Sequence, residues 1–158
     1  GNIRNPAAGD SWIIDETVEH IHKVAVDLVK SHTGFQSLSR FLIDTNYMKA
    51  HDKLRQKYFL PVRPLDYYVD ALQNCGLRIS SCDWKPIQAA VDEWYDFLAV
   101  YHEGVLGWVG GAEKITGVPA SPHFVSLRKA LMRIAMEEIF NGKGHFQAAW
   151  TYIEAKIK

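Results

Sequence analysis

Residues His145 to Ile157 constrain the fold more than any other stretch of this 158-residue chain. Phe146, Ala148, Trp150 and Tyr152 alternate with Ala149, Thr151, Ile153, Ala155 and Ile157, so a strand here is apolar on both faces and expected to be buried on both sides. A second segment, Leu77-Arg78-Ile79-Ser80-Ser81-Cys82, has the β-branched, alternating character of a short strand that Pro86 would end. Two strands alone are marginal in water. The pair is therefore expected side by side, at the border of a larger sheet.

Most of the remaining chain reads as helix. Asp15 is a good N-cap, and Val18, Ile21, Val24, Ala25, Leu28 and Val29 follow at helical spacing up to Gly34. Ser37 to Asp44 and Asn46 to Tyr58 predict two more helices, which Pro61 and Pro64 interrupt. A fourth helix is expected over Leu65 to Cys75, with Gly76 as its left-handed cap. From Val91 to Gly110 one long helix would place Trp94, Phe97, Leu98, Tyr101, Val105 and Trp108 on one face, with Gly110-Gly111 stopping it. Ser121-Pro122 then opens a helix that runs to Asn141. The fold class is mostly α with a small antiparallel strand pair and about six helices.

Composition narrows the function. Eighteen Lys and Arg balance eighteen Asp and Glu, and the bases are scattered among acids, so no field gathers phosphates; a nucleic-acid partner is not expected. No apolar stretch approaches the roughly 18–20 residues that cross a bilayer, so no membrane partner is expected and the chain is read as soluble. Cys75 and Cys82 lack metal-ligand spacing and are expected to be buried or idle thiols, which fits a reducing, cytoplasmic location. Gly1-Asn2-Ile3-Arg4-Asn5-Pro6 opens the chain without Met and looks like a tag remnant or a cut inside a longer protein. No repeat or linker is evident, and one compact unit is the simplest organisation.

The stretch Pro64-Leu65-Asp66-Tyr67-Tyr68-Val69-Asp70-Ala71-Leu72-Gln73-Asn74-Cys75-Gly76-Leu77-Arg78-Ile79 resembles the last helix and sixth strand of class I S-adenosylmethionine-dependent methyltransferases. The tail Phe146 to Lys156 resembles their seventh, antiparallel strand, which often finishes in Ala-Lys. The resemblance implies an α/β fragment in which Ile3 to Asn5 and Pro6 leave the fifth strand. Its division would be 3–63 as a helical lid segment, 64–83 as helix and strand, 84–144 as a helical excursion and 145–158 as the final strand. It also implies that S-adenosylmethionine binds the preceding half of a parent protein, because this chain has no Gly-rich turn after a strand and none of the family's acidic cofactor positions. Gly107-Trp108-Val109-Gly110-Gly111 follows a helix and is read as its stop. No cofactor is expected for the chain alone, no metal site is expected, and no catalytic residue is assigned. In open α/β sheets the ligand lies outside the carboxyl ends of the strands, where both excursions would form a lid and a substrate wall for a small-molecule acceptor.

Trp94, Phe97, Tyr101, His102 and Trp108 are the candidate substrate-binding residues: the rings to line a pocket for a planar or apolar acceptor, His102 with Glu103 to supply a base near its mouth. Packing of a helix on the body explains the same aromatic stripe, and a solvated pair explains His102-Glu103. Glu19 and His22 share one helix face at Glu-x-x-His spacing, but carboxylate-bridged metal sites need two such motifs and His20 points the other way. The favoured reading is the substrate-binding lid portion of a small-molecule methyltransferase, inactive alone. The alternatives are a free-standing helical ligand-binding or interaction module and a homodimer joined through the final strand.

Overall fold

The computed structural model describes residues 12–60 and 63–157; residues 1–6, expected to be a tag remnant or cut and to leave a fifth strand, and the expected break at Pro61 lie outside them. Eight helical segments and two strands follow one another: α1 (Trp12–Ser31), a 3-10 segment (Thr33–Leu42), α2 (Thr45–Tyr58), α3 (Leu65–Asn74), β1 (Leu77–Ala90), α4 (Val91–Val100), α5 (His102–Leu106), α6 (Glu113–Thr116), α7 (Pro122–Phe140) and β2 (His145–Ile157). The expected class, mostly helical with one antiparallel strand pair, is what is found. The described residues divide into two units, one of residues 12–17, 63–90 and 145–157, the other of Val18–Leu60 and Val91–Gly144.

In the first unit β1 and β2 pair antiparallel from Leu77↔Ile157 to Ala90↔His145. The expected adjacency of the two segments therefore holds, but β1 is more than twice as long as Leu77 to Cys82. Pro86 does not end it; the proline sits opposite Ala149 inside the ladder. Proline lacks the N–H of an inward-facing ladder position, so it is tolerated where its nitrogen faces an edge, as in a two-stranded pair. Between Ile79 and Ser81 the register slips by one residue, and the displaced Ser80 hydroxyl reaches the Glu154 backbone carbonyl and carboxylate, both at 3.3 Å. β2 is not buried along both faces: Phe146, Ala148 and Ala149 are buried, whereas Tyr152 and Ile157 are exposed. α3 precedes the ladder as expected, ending at Cys75 with Gly76 at φ +83°, a left-handed conformation that a side chain would strain. Cys75 and Cys82 are free thiols and both are exposed, not buried.

The second unit holds an apolar core. Ile21, Ala25 and Val29 of α1 keep the predicted stripe, and Leu98, Val105, Leu106, Trp108, Leu131 and Ala135 are fully buried. Three helix boundaries differ from expectation. α1 starts at Trp12, so Asp15 lies inside the helix and is not its cap. Ser37 to Asp44 is not an α-helix: a 3-10 segment begins at Thr33, where His32 Nδ1 accepts the Gly34 N–H, and Asp44 instead caps α2 by accepting from Asn46 and Tyr47. The long helix over Val91 to Gly110 is broken at Tyr101, whose backbone leaves helical geometry, and a short α5 ends at Gly107. Gly104 and Gly107 weaken that stretch. α7 runs from Pro122 to Phe140 behind Ser121 and closes on Asn141 at φ +48°.

Two substitutions separate core from surface. Leu131→Ala is expected to lower the unfolding free energy by about 2–5 kcal/mol. Ile157→Ala, at a residue 88% exposed, should change it by less than about 0.5 kcal/mol. Urea midpoints of the two variants check both values.

Candidate functional site

Five rings gather in the second unit. Trp94 and Phe97, one turn apart on α4, stack with centroids 5.1 Å apart and planes within 9°. Phe97 leans on Tyr101 at 5.2 Å, and Tyr101 meets Tyr58 at 5.9 Å and Phe59 at 6.1 Å, at the end of α2. Such offset and tilted pairs are each worth about 0.5–1.5 kcal/mol beyond the area they bury. The Tyr58 ring can lie where it does because residue 104 is glycine; a Cβ there would come within 2.6 Å of it. Even so, Phe97 remains 47% exposed and Tyr58 and Tyr101 each 37%. The result is an aromatic surface fixed by its own packing and open to solvent.

Beneath it a set of buried polar side chains holds residues 107–112. The Tyr47 hydroxyl donates to the Gly107 carbonyl at 3.0 Å and accepts the Ala112 N–H at 2.6 Å. His51 Nε2 lies 2.9 Å from the Gly107 nitrogen and 3.1 Å from the Glu103 carbonyl. One tautomer therefore accepts from the first and the other donates to the second. Arg128, fully buried, donates to the carbonyls of Val109 at 2.7 Å, Gly111 at 2.6 Å and Gly107 at 3.4 Å. These carbonyls belong to the loop that follows α5, and a cation is a strong donor for them. Glu103 completes the frame by accepting the Glu113 N–H at 3.0 Å.

His102 is drawn into this frame. Its Nδ1 stands 3.2 Å from Arg128 Nη1, which can only donate, so Nδ1 accepts and the proton of the neutral ring sits on Nε2. Burial, then the Arg128 charge, holds its pKa below the ordinary histidine value. With its basic nitrogen occupied, His102 offers a hydrogen-bond donor and not the general base that the sequence suggested. Burial raises the Tyr47 phenol and lowers Arg128, the latter opposed by Glu103.

His22, half-buried, stacks on the buried His51 with centroids 6.2 Å apart, and His22 meets Trp108 edge-on at 6.3 Å. Burial first, and for His22 then the Arg55 charge, lowers each imidazole to about 4. Glu19 does not serve His22 as a metal partner; its carboxylate lies 3.3 Å from Arg55. Among the described residues no group of three or more His, Cys, Asp or Glu could hold a metal ion.

Of the five residues singled out from sequence, Trp94, Phe97 and Tyr101 come together, His102 turns to Arg128, and Trp108 is fully buried, off the aromatic surface. Tyr58, Phe59, Tyr47, His51 and Arg128 were not anticipated. The spacing of Tyr47 and His51 at i and i+4 on α2 is the signal that could have found this frame. A cleft of about 230 Å³ between Val91 and Phe140 is less promising, since Arg133 in its wall is already held by Asp92 at 2.6 Å and Glu137 at 3.4 Å. Compared with models of known families, with curated proteins and with solved structures, the chain matches none. Among the described residues no helix is long and apolar enough to cross a membrane.

The histidine pair makes stability depend on pH. Each imidazole has a folded pKa near 4 against 6.5 unfolded, so as pH falls the unfolded chain takes up protons first. The contribution is complete above about pH 6.5 and is lost progressively toward pH 4. Between pH 7 and 5 the loss is on the order of 1–2 kcal/mol per imidazole. Urea unfolding at the two pH values measures it, and His51→Gln should make the fall shallower.

Proposed function

We propose that this chain is the acceptor-binding lid portion of a class I S-adenosylmethionine-dependent methyltransferase. The observation that carries the reading is the antiparallel union of β1 with β2 around a helical excursion, residues 91–144, whose base is closed by the Val91 N–H on the Gly144 carbonyl at 3.0 Å. A helix, Gly76, a strand, an excursion and a returning antiparallel strand follow in the order that the resemblance of Pro64–Ile79 and Phe146–Lys156 implies. The excursion also joins Val18–Leu60, from ahead of α3, in a single helical unit. That is the composition expected of a lid built from two insertions.

In this reading the strand pair is the border of a sheet whose other strands belong to the parent protein and hold S-adenosylmethionine. The part of this chain is to bind and orient a small-molecule acceptor. Methyl transfer is an in-line displacement, so it gains most from orientation and the exclusion of water, and neither needs a charged catalytic group on the lid. The aromatic surface of Tyr58, Phe59, Trp94, Phe97 and Tyr101 suits this task, as does its rigid support by Tyr47, His51 and Arg128. A cytoplasmic location belongs to the same reading. The alternative, a free-standing ligand-binding module, draws on the same surface and differs in needing no cofactor.

Calorimetric titration of S-adenosylmethionine into this chain and into the longer protein encoded by its reading frame separates the two. Saturable binding to the longer protein and none to the chain is expected. Binding to neither, or a reading frame without an upstream strand, Gly-rich turn and helix, would contradict the methyltransferase reading.

A further inference from the structure

The two edges of the strand ladder differ. The Val91 N–H bonds the Gly144 carbonyl, and in an antiparallel pair such bonds recur at every second residue pair. The amides of Ala149, Thr151 and Ile153 therefore point away from β1. By the same alternation Pro86, opposite Ala149, turns its nitrogen to the outer edge of β1, and the bulge at Ser80 distorts that edge further along. A proline and a bulge are features by which an edge refuses another strand, and β2 has neither. Its first half is covered, with Phe146, Ala148 and Ala149 buried; Tyr152, Glu154, Lys156 and Ile157 in its second half are exposed.

That second half carries two unsettled features. Lys156 lies directly opposite Arg78 on the same face of the ladder, where like charges repel. Among the described residues neither cation is ion-paired, whether to Asp66 or Asp70 of α3, the helix packed on β1, or to Asp83 or Glu154 of the ladder. On the other face Ile157 is 88% exposed. A second copy of β2, set antiparallel about Ala155, answers both. Glu154 of each copy then faces Lys156 of the other, and Ile153 faces Ile157. The outward amides of the odd-numbered residues meet one another in this register, and Ala155 on the axis is small enough for close approach. Centring the pair on Glu154 would instead set two carboxylates face to face.

We infer that the 158-residue chain forms a symmetric dimer in which two β2 strands pair antiparallel about Ala155. The ladder becomes a sheet of four strands, above the three that a sheet needs to stand by itself. Residues 153–157 of each copy make a contact well under about 1,200 Å², so the dimer is weak, with a Kd on the order of 10⁻⁴ M. The inference goes beyond the methyltransferase reading and calls on no cofactor; in a longer protein a strand of that protein would compete for the same edge.

Sedimentation equilibrium of the chain at low salt, from about 10 µM to about 1 mM, tests it, those concentrations bracketing the expected Kd. The average mass should rise from that of one chain toward that of two. Lys156→Glu sets acids opposite acids between copies and should weaken association at least about tenfold, about 1.4 kcal/mol. Within one copy the same change places a carboxylate opposite Arg78, so the variant should fold at least as stably as the original, and its loss of association is not a loss of fold. Adding Glu154→Lys restores opposite charges in reverse order and should recover the dimer. In a mixture of isotope-labelled and unlabelled chains, NMR should show methyl contacts between Ile153 of one copy and Ile157 of the other. A chain that stays monomeric to about 1 mM leaves the edge to a strand of another protein and overturns the proposal. So does a Lys156→Glu chain that associates as well as the original, or a double variant that recovers nothing.

Discussion

The β1–β2 ladder is the constraint on which the remaining structure depends. It brings Ala90 opposite His145, and the next residues, Val91 and Gly144, are joined by a backbone hydrogen bond. Everything from α4 to α7 must then begin and end at one point. That closure charges loop entropy once and lets the intervening helices form a core of their own. The ladder is also incomplete in a specific sense. Two strands leave unpaired edges, and Tyr152 and Ile157 remain exposed on the second.

Within the helical unit a second constraint fixes the candidate site. Residues 107–112 turn back under the aromatic surface, and their carbonyls would be unsatisfied in an apolar core. Tyr47 and Arg128, from α2 and α7, donate to the carbonyls of Gly107, Val109 and Gly111, and His51 meets the Gly107 N–H. A buried polar network of this kind tolerates no partial occupancy, so it ties α2, α5 and α7 to a single arrangement. The aromatic surface inherits that rigidity through Tyr58, seated on Gly104, and through Tyr101 at the start of α5.

Much of the fold was legible because it follows from local rules. Alternation in His145–Ile157, the apolar stripe of α1, Gly76 after α3, and Ser121-Pro122 ahead of α7 each have a local cause, and each element formed. What escaped were effects decided at long range. Pro86 marks a strand end by its chemistry, yet in a two-stranded ladder its nitrogen can face an edge. The stripe from Trp94 to Trp108 has helical spacing throughout, but the helix breaks at Tyr101, which no local spacing announces. Trp108 thereby moves from the stripe into the core. Trp94, Phe97 and Tyr101 were found from spacing alone, whereas Tyr58 and Phe59 reach the cluster by tertiary packing that no sequence period encodes. His102 is held by Arg128, a partner 26 positions away that no local spacing announces.

The pairing of β1 with β2 is the claim that supports all others, and cross-strand proton contacts in solution test it most directly. NMR should show backbone contacts linking Cys82 with Ile153 and Ile87 with Ala148, with slowly exchanging amides between them. Helical contact patterns over 77–90 or 145–157, or a register in which Cys82 faces any residue other than Ile153, would contradict the account.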